Sequence, residues 1–286
     1  MITMQHIPGK KRTDQFISSA VYFIEQTGDG VYSLFRDFKD LIRFIGDMAD
    51  AIWNTIRHPS KLRRRETLYY MNICGPDALP ISVLICLLMG LIIGYQSAVQ
   101  MHKYGADMFL APLVGCSIVR ELGPLMIAII ATGRAGSAFT AEIATMKSTE
   151  EINAMLTMGF SPWRFLVVPK LLSMMLMVPI LTLIGDIVGI IGGMLVGVFG
   201  LGIPAQTYYQ QTINWVAPRF FLESIIKAFV FAIIITSIAC MRGFQAKDDA
   251  LGVGKATTAS VVSGIVAVIV SDFMMAKMFN VLFYGD

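Results

Sequence analysis

The sequence contains few charged residues for its length. Charged side chains make up 15% of the 286 residues, whereas 55% are hydrophobic and the mean hydropathy is +0.65. A soluble domain carries more charge than this, so the composition indicates a polytopic membrane protein. The net charge of +3 is too small to favour a nucleic-acid partner.

Cysteine, histidine and nucleotide-binding motifs are equally sparse. The four cysteines and three histidines are scattered, with no CxxC pair, so we predict neither a metal site nor a disulfide. The GVGK at 252–255 lacks P-loop spacing, because Asp249 and Ala256 stand where the motif needs Gly and Ser or Thr. We therefore expect no cofactor in this chain, and any ATP must be bound by a partner subunit.

The N-terminal part of the chain has its own pattern. Residues 1–15 have a basic start but no apolar segment, so we expect no cleavable signal peptide. Apolar residues recur at three- and four-residue steps over 31–56 while the other face is charged, which predicts an amphipathic helix lying in the membrane interface. We divide the chain into an extension (1–30), this helix with a basic elbow (31–78), and a membrane-spanning domain (79–286).

Five segments are apolar and long enough to cross a bilayer, whose hydrocarbon core takes about 20 helical residues. The third is too long for one perpendicular span, and we expect Pro169 and Pro179 to kink it. No internal repeat or second domain is recognisable, so the prediction is an all-α protein with five transmembrane helices. The segments are 79–101, 108–132, 165–199, 221–240 and 256–283.

The basic residues of the loops predict the orientation. Eleven Lys and Arg residues precede the first span, whereas only Lys103 and Arg219 follow the first and third spans. By the positive-inside rule, the N-terminus is cytoplasmic and the C-terminus lies outside. The loops after the second and fourth spans carry Arg134, Lys147, Arg164, Arg242, Lys247 and Lys255.

Ionisable residues within the spans are the first candidates for function. Arg120 and Glu121 are adjacent in the second span, so their side chains point about 100° apart and are expected to pair with other groups. The fourth span contains Glu223 and Lys227. Charges at membrane depth are costly, which favours a functional role over a structural ion pair between helices. In the first span, Gly90 and Gly94 form a GxxxG motif that permits close helix approach, including across a dimer axis.

A short amphipathic helix is predicted at 149–158, between the second and third spans. We expect the chain to leave the membrane through the small residues 133–138. Ser148 and Glu151 then have capping-box spacing, and Gly159 ends the helix. Held between two spans in the cytoplasm, such a helix can transmit force to the membrane domain. Its apolar face comprises Ile152, Met155 and Leu156.

These residues resemble a known family. Glu151 to Ala154, with Gly159 and Pro169, resembles the coupling loop of ABC-transporter permeases. More narrowly, RELGPLMIAIIATGRAGSAFTAEIATMKSTEEINAMLTMGFSP (120–162) and GVGKATTASVVSGIVAVIVSDFMM (252–275) resemble the MlaE permease family of bacterial phospholipid transporters. The resemblance covers roughly residues 35–285.

The resemblance implies a homodimeric permease in the bacterial inner membrane that maintains outer-membrane lipid asymmetry. Its partners would be a cytoplasmic ABC ATPase, a periplasmic MCE-domain carrier and phospholipid. It places Arg120, Glu121 and Lys227 at the substrate cavity. We expect the two cations to attract the headgroup phosphate, with Glu121 holding Arg120 in place.

The resemblance also implies a pocket wall and a coupling surface. Gln100 stands where the family commonly has an apolar residue, so the wall departs from the family there. The remaining wall residues are Ile93, Gln96, Met101, Tyr104 and Leu122. Coupling to the ATPase is expected from Glu142, Glu150, Glu151, Met155 and Gly159.

Two alternatives remain. A proton-coupled secondary transporter of an amphipathic substrate would use Asp186 or Asp272, for which the sequence offers only Lys277 as a neighbouring base. A membrane-embedded lipid-modifying enzyme would need a nucleophile beside a base, such as Ser with a neighbouring His, and the sequence contains no such arrangement.

Overall fold

The computed structural model describes residues 44, 46 and 63–285 of the chain. The predicted extension and most of the predicted interfacial helix at 31–56 lie outside the described residues. Between residues 63 and 285 the chain forms helices and no strand. They are α1 (Arg64–Cys74), α2 (Leu79–Lys103), α3 (Asp107–Ser148), α4 (Glu151–Thr157), α5 (Trp163–Leu201), α6 (Ala205–Trp215), α7 (Pro218–Phe244) and α8 (Ala250–Tyr284).

Five helical segments of this region are long and apolar enough to cross a membrane, and the protein is a multi-pass membrane protein. The first joins α1 to α2, and the others are α3, α5, α7 and α8. Each predicted span lies inside one of these helices, so the prediction of five spans is confirmed. α6 was not predicted, since its composition is too polar for a span.

The small residues 133–138, where we expect the chain to leave the membrane, do not interrupt the second spanning helix. α3 continues unbroken to Ser148, with π-helical turns at Ile118–Leu122 and Thr132–Gly136. Packing against α7 and α8 explains the continuity. The Thr140 hydroxyl, for example, contacts the Ala239 carbonyl at 2.9 Å and the Ser260 hydroxyl at 2.8 Å. Small side chains in this part of α3 therefore serve close helix packing rather than a loop.

The predicted capping box before α4 is also wrong. Glu150 is the N-cap residue, in a left-handed conformation at φ 62°, and its side chain makes no capping hydrogen bond. The Ser148 hydroxyl instead donates to the Thr145 carbonyl at 2.9 Å, so it still belongs to the end of α3. The predicted stop is confirmed, because Gly159 follows α4 with φ 79°, a conformation that favours glycine.

α5 is the central helix of the bundle and packs along α2. A Cβ atom on Gly90 would lie 2.1 Å from the Gly189 carbonyl oxygen, and one on Gly94 would lie 3.0 Å from the Gly193 Cα. The two backbones meet only because all four positions are glycine. The close helix approach that the GxxxG motif of α2 permits is thus made within the chain, against α5.

The two ends of the bundle differ. At one end, which we call the α4 end, the Lys147 ammonium binds the carbonyls of Phe244 and Ala246 and so joins α3 to the α7–α8 connection. At the other, the α6 end, α6 is anchored by Tyr208, whose ring packs against Gly197. Burial raises the pKa of the Tyr208 hydroxyl, which therefore stays neutral at physiological pH.

Candidate functional site

Five ionisable side chains meet inside the bundle, nearer to the α6 end. We call Arg120, Glu121, Glu223, Lys227 and Asp272 the ion cluster. Arg120 and Glu121 lie on the first π-helical turn of α3, which widens the helix where the two charges emerge. Glu223 and Lys227 lie on the same face of α7, one turn apart, and Asp272 comes from α8.

Lys227 is the centre of the cluster and is only 1% exposed. Its ammonium lies 2.5 Å from the Glu121 carboxylate and 2.9 Å from the Asp272 carboxylate. It also donates to the Arg120 carbonyl at 2.9 Å. The contacts with Glu121 and with the Arg120 carbonyl are hydrogen bonds and the contact with Asp272 is an ion pair, so two carboxylates compensate the buried charge. Lys227 thereby fixes α7 to both α3 and α8.

Arg120 is held by a different set of groups. Its guanidinium lies 3.4 Å from the Glu223 carboxylate, donates to the Asn280 amide oxygen at 2.7 Å, and stands 5.3 Å from the centre of the Phe220 ring. The expected pairing of Glu121 with Arg120 is therefore wrong. Glu121 binds Lys227, and the carboxylate beside Arg120 is that of Glu223. The general expectation that the adjacent pair would bind other groups is confirmed.

The charges and exposures within the cluster are unequal. Two cations face three carboxylates, so the fully ionised cluster carries one negative charge. The Arg120 side chain remains 23% exposed and that of Glu121 38% exposed, whereas Lys227 lies behind them. An incoming anion would meet Arg120 before Lys227. The structure brings the two predicted cations into one cluster, with Arg120 partly exposed and Lys227 buried behind it.

Asp186 on α5 lies beside the cluster and is fully buried. Its Oδ2 accepts a hydrogen bond from Ser224 at 2.8 Å, and its Oδ1 has no hydrogen-bond partner among the described residues. Glycine at position 123 leaves room for this carboxyl group, because a Cβ there would come within 1.7 Å of Oδ1. Asp186 is thus the one acid of the five spans with no basic partner in the described part of the chain.

Most of the predicted pocket-wall residues lie on a different helix from the residues of the ion cluster. The cluster is built from α3, α7 and α8, whereas four of the five wall residues lie on or just after α2. Ile93 packs in an apolar group with Leu110 and Val114, and Tyr104 is 83% exposed. Gln96 is exposed and Met101 half-buried, and Leu122 borders a small cavity between α2, α3 and α5. These side chains do not form one wall within a single chain.

The predicted coupling residues fall into two groups. Glu150, Glu151, Met155 and Gly159 belong to α4 and its flanks, where only Ile152 is buried. Glu142 lies deeper, on α3, and binds the Lys170 ammonium at 3.0 Å and the Tyr70 hydroxyl at 2.5 Å. The coupling surface and Glu142 are therefore separate structural features.

Sequence reasoning missed several partners in these sites. Glu223 stands four residues before Lys227, a spacing that places both on one helix face and could have identified it. The base beside Asp272 is Lys227 rather than the neighbouring Lys277, because α8 packs on α7. Asn280, Tyr70 and Lys170 gave no signal, since their roles depend on contacts between distant segments.

Comparison with known proteins gives consistent matches. The family described as "Permease MlaE" matches residues 67–278. A probable ABC transporter permease protein of Rickettsia prowazekii is 35% identical over 281 residues, which are 98% of each chain. The intermembrane phospholipid transport system permease protein MlaE of Haemophilus influenzae is 31% identical over 250 residues, 86% of this chain and 95% of that protein.

A probable ABC transporter permease protein of Synechocystis is 33% identical over 216 residues, 76% of this chain and 82% of that protein. The matched region contains the ion cluster, α4 and Glu142 together with most of the spanning helices. The chain is therefore a member of the MlaE permease family, an ABC transporter permease.

Proposed function

We propose that this protein is the transmembrane subunit of a transporter that moves phospholipid between the bacterial inner membrane and a periplasmic MCE-domain carrier. The observation that carries the proposal is the ion cluster, which sits inside the spans of a permease whose Haemophilus relative is named for intermembrane phospholipid transport. In this role the protein contributes to the lipid asymmetry of the outer membrane.

The cluster suits a substrate with an anionic headgroup and apolar chains. Charged groups at membrane depth are costly and are retained where they contact a substrate or a partner. Arg120 is the headgroup contact, because its side chain is partly exposed and a guanidinium can bind a phosphate with two parallel hydrogen bonds. Lys227 adds positive potential from behind and keeps Glu121 and Asp272 in position.

Energy for transport comes from a partner. The sequence contains no P-loop, and a permease needs an ATPase to drive it. α4 is the docking element, because Leu156 is 54% exposed and Met158 63% exposed at the tip of a helix held between two spans. Two copies of the chain form the transporter, and the α2 wall residues of both copies enclose the lipid chains beside the cluster.

The first experiment tests the role of Arg120. Its replacement alone would leave Glu223 buried without a cation, so the fold-preserving variant is Arg120→Gln combined with Glu223→Gln. We expect lipid transfer from proteoliposomes to fall at least tenfold at unchanged protein level. Lys277→Ala is the matched control, since it removes one exposed cation of α8 outside the cluster. Full transfer by the double variant would refute the headgroup role.

The second experiment tests docking of the ATPase. Met155→Pro breaks the middle of α4, whereas Met155→Leu keeps the helix and an apolar side chain of similar size. We expect the proline variant to lose the ATPase on purification from the native membrane and the leucine variant to retain it. Equal retention by both variants would count against α4 as the docking element.

Asp186 is the observation that supports the second candidate, a proton-coupled secondary transporter. A buried acid without a basic partner is a feature of proton carriers. Asp272 is less suited to this role, because Lys227 already compensates its charge. Transport by the purified chain without an ATPase, driven only by a pH gradient and abolished by Asp186→Asn, would establish this candidate over the first.

A further inference from the structure

A second buried polar group lies toward the α4 end of the bundle. We call Tyr70, Glu142 and Lys170 the buried triad. They come from α1, α3 and α5, so three helices meet in one group. The proposed function uses Glu142 as a coupling residue but assigns nothing to Tyr70 or Lys170.

The contacts of the triad are short and complete. Lys170 is 0% exposed, and its ammonium lies 2.8 Å from the Tyr70 hydroxyl and 3.0 Å from the Glu142 carboxylate. The Tyr70 hydroxyl also donates to the same carboxylate oxygen at 2.5 Å. Each group therefore contacts both of the others, and removal of one partner leaves an uncompensated charge or polar group.

Aromatic rings enclose the ammonium. It stands 4.2 Å from the centre of the Tyr70 ring and 5.6 Å from the centre of the Phe139 ring, distances at which a cation is attracted to the π-face. The two rings also pack edge to face, with centres 5.6 Å apart. Aromatic rings thus surround the Lys170 ammonium, whereas the Glu142 side chain that pairs with it remains 38% exposed.

A second set of bonds fastens α1 to the same place. The Ser173 hydroxyl of α5 donates to the Thr67 carbonyl of α1 at 2.8 Å. The Arg134 guanidinium of α3 lies 3.6 Å from Asp77, just after α1. α1 is therefore bound to α3 and α5 at several points. Among these contacts, the triad is the one that contains a fully buried charge, the Lys170 ammonium.

The position of the triad in the sequence gives it a mechanical role. Glu142 and Lys170 are on the two helices that flank α4, and the chain between them contains the whole of α4. Their ion pair closes this segment at its base. A force applied to α4 then displaces α3 and α5 together, whereas two unlinked helices would absorb it by moving apart.

We propose that Tyr70, Glu142 and Lys170 are positioning residues that make α1, α3 and α5 respond as one unit to movement of α4. The proposal rests on the proposed function, in which an ATPase moves α4. The triad does not contact the substrate. It determines how much of the movement at α4 reaches the ion cluster farther along α3.

The test uses variants that each change a single group of the triad. Tyr70→Phe removes one hydroxyl and keeps the ring against Phe139, and the adjacent exposed Tyr69 provides Tyr69→Phe as the matched control. Lys170→Met removes the charge with similar volume, and Lys170→Arg restores a cation. All variants are assayed in the complete transporter, reconstituted with its ATPase in phospholipid vesicles.

The measured quantity is lipid transferred per ATP hydrolysed. We expect Tyr70→Phe to lower this ratio about threefold and Lys170→Met about tenfold, with the ATPase still bound. Lys170→Arg is expected to recover at least half of the ratio, and Tyr69→Phe to leave it unchanged. A purely structural role would lower protein yield but not the ratio. A wild-type ratio in Tyr70→Phe and Lys170→Met would overturn the proposal, as would an equal fall in Tyr69→Phe.

Backbone hydrogen exchange tests the triad without reference to transport. We expect Tyr70→Phe to speed exchange in α1 and at the start of α5 at least fivefold relative to Tyr69→Phe. Unchanged exchange would also overturn the proposal. If the wild-type complex transfers no lipid, the proposed function fails, while the exchange result still decides whether the triad holds the three helices together.

Discussion

A single lysine joins three helices in this permease. Lys227 makes two hydrogen bonds to α3 and an ion pair with Asp272 of α8, so its buried charge is compensated by groups of both helices. Arg120 has a carboxylate partner as well, yet its side chain stays partly exposed. At the scale of residues, the cluster therefore divides into a buried inner group that fixes helix positions and a partly exposed outer group.

Asp186 and Asp272 permit a direct comparison of two buried acids. Asp186→Asn keeps the size of the side chain and an acceptor for Ser224, and it removes the risk of an uncompensated charge. Asp272→Asn removes a partner of Lys227. We expect the first to change the thermal midpoint in detergent by less than about 2 °C, and the second to lower it by about 5 °C.

Lipid transfer provides a second measurement on the same two variants. Under the proposed function, Asp186→Asn keeps ATP-driven transfer near the wild-type rate. Loss of transfer by a normally stable Asp186→Asn protein would contradict this expectation and favour the proton-coupled candidate.

Residues that share a helix face were predictable, and contacts between distant helices were not. The depth of Arg120 and Glu121 follows from hydropathy alone, and Glu223 is visible from its spacing to Lys227. The contact of Lys227 with Asp272 requires the packing of α7 on α8, which no local pattern specifies. For the same reason the sequence suggested Lys277 as the base near Asp272, and it gave no sign of Lys170 beside Glu142.

At the scale of elements, the helices extend beyond what apolar length predicts. α3 continues past residues 133–138 because its small side chains pack against neighbouring helices within the bundle. Hydropathy identifies where a helix can cross a membrane, but tertiary packing determines where it ends. The π-helical turn at Ile118–Leu122 was not predictable either, although it positions both charges of the cluster.

The contact between α2 and α5 depends on glycine at both surfaces. In Gly90→Ala, the new Cβ would lie 2.1 Å from the Gly189 carbonyl, so the two helices must separate along their length. We expect the thermal midpoint to fall by about 10 °C or the protein to be lost from the membrane. Size-exclusion chromatography and thermal unfolding in detergent measure both outcomes.

Gly254→Ala is the control for this substitution. No atom lies within 4 Å of a Cβ at this exposed position of α8, and alanine favours a helix over glycine. We expect an unchanged or slightly higher midpoint. A Gly90→Ala protein as stable as Gly254→Ala would show that the α2–α5 contact tolerates a wider spacing.

At the scale of the whole molecule, the two polar groups occupy successive levels of one bundle. The buried triad lies toward the α4 end and the ion cluster toward the α6 end, and α3 contributes residues to both. α3 is one continuous helix from Ser148, next to the α4 connection, to Glu121 and Arg120. Residues 120–162 run from the cluster through Glu142 to α4, so one stretch of the sequence contains parts of both polar groups and the whole of α4.

The orientation of the bundle is a prediction that labelling can test. The positive-inside rule places the α4 end in the cytoplasm and the α6 end outside. Lys247 is exposed in the α7–α8 connection, and Tyr209 is 62% exposed on α6. In a chain whose four cysteines are replaced by alanine, we expect a membrane-impermeant maleimide added to intact spheroplasts to label Tyr209→Cys and spare Lys247→Cys.

Disruption of the spheroplasts provides the control, because both single-cysteine proteins should then be labelled equally. The reverse pattern in intact spheroplasts would place α4 outside the cell, where no ATP is available to a docked motor. The coupling role of α4 and the function of the buried triad would then fail together. This one measurement therefore tests the spatial premise shared by the proposed function and by the triad.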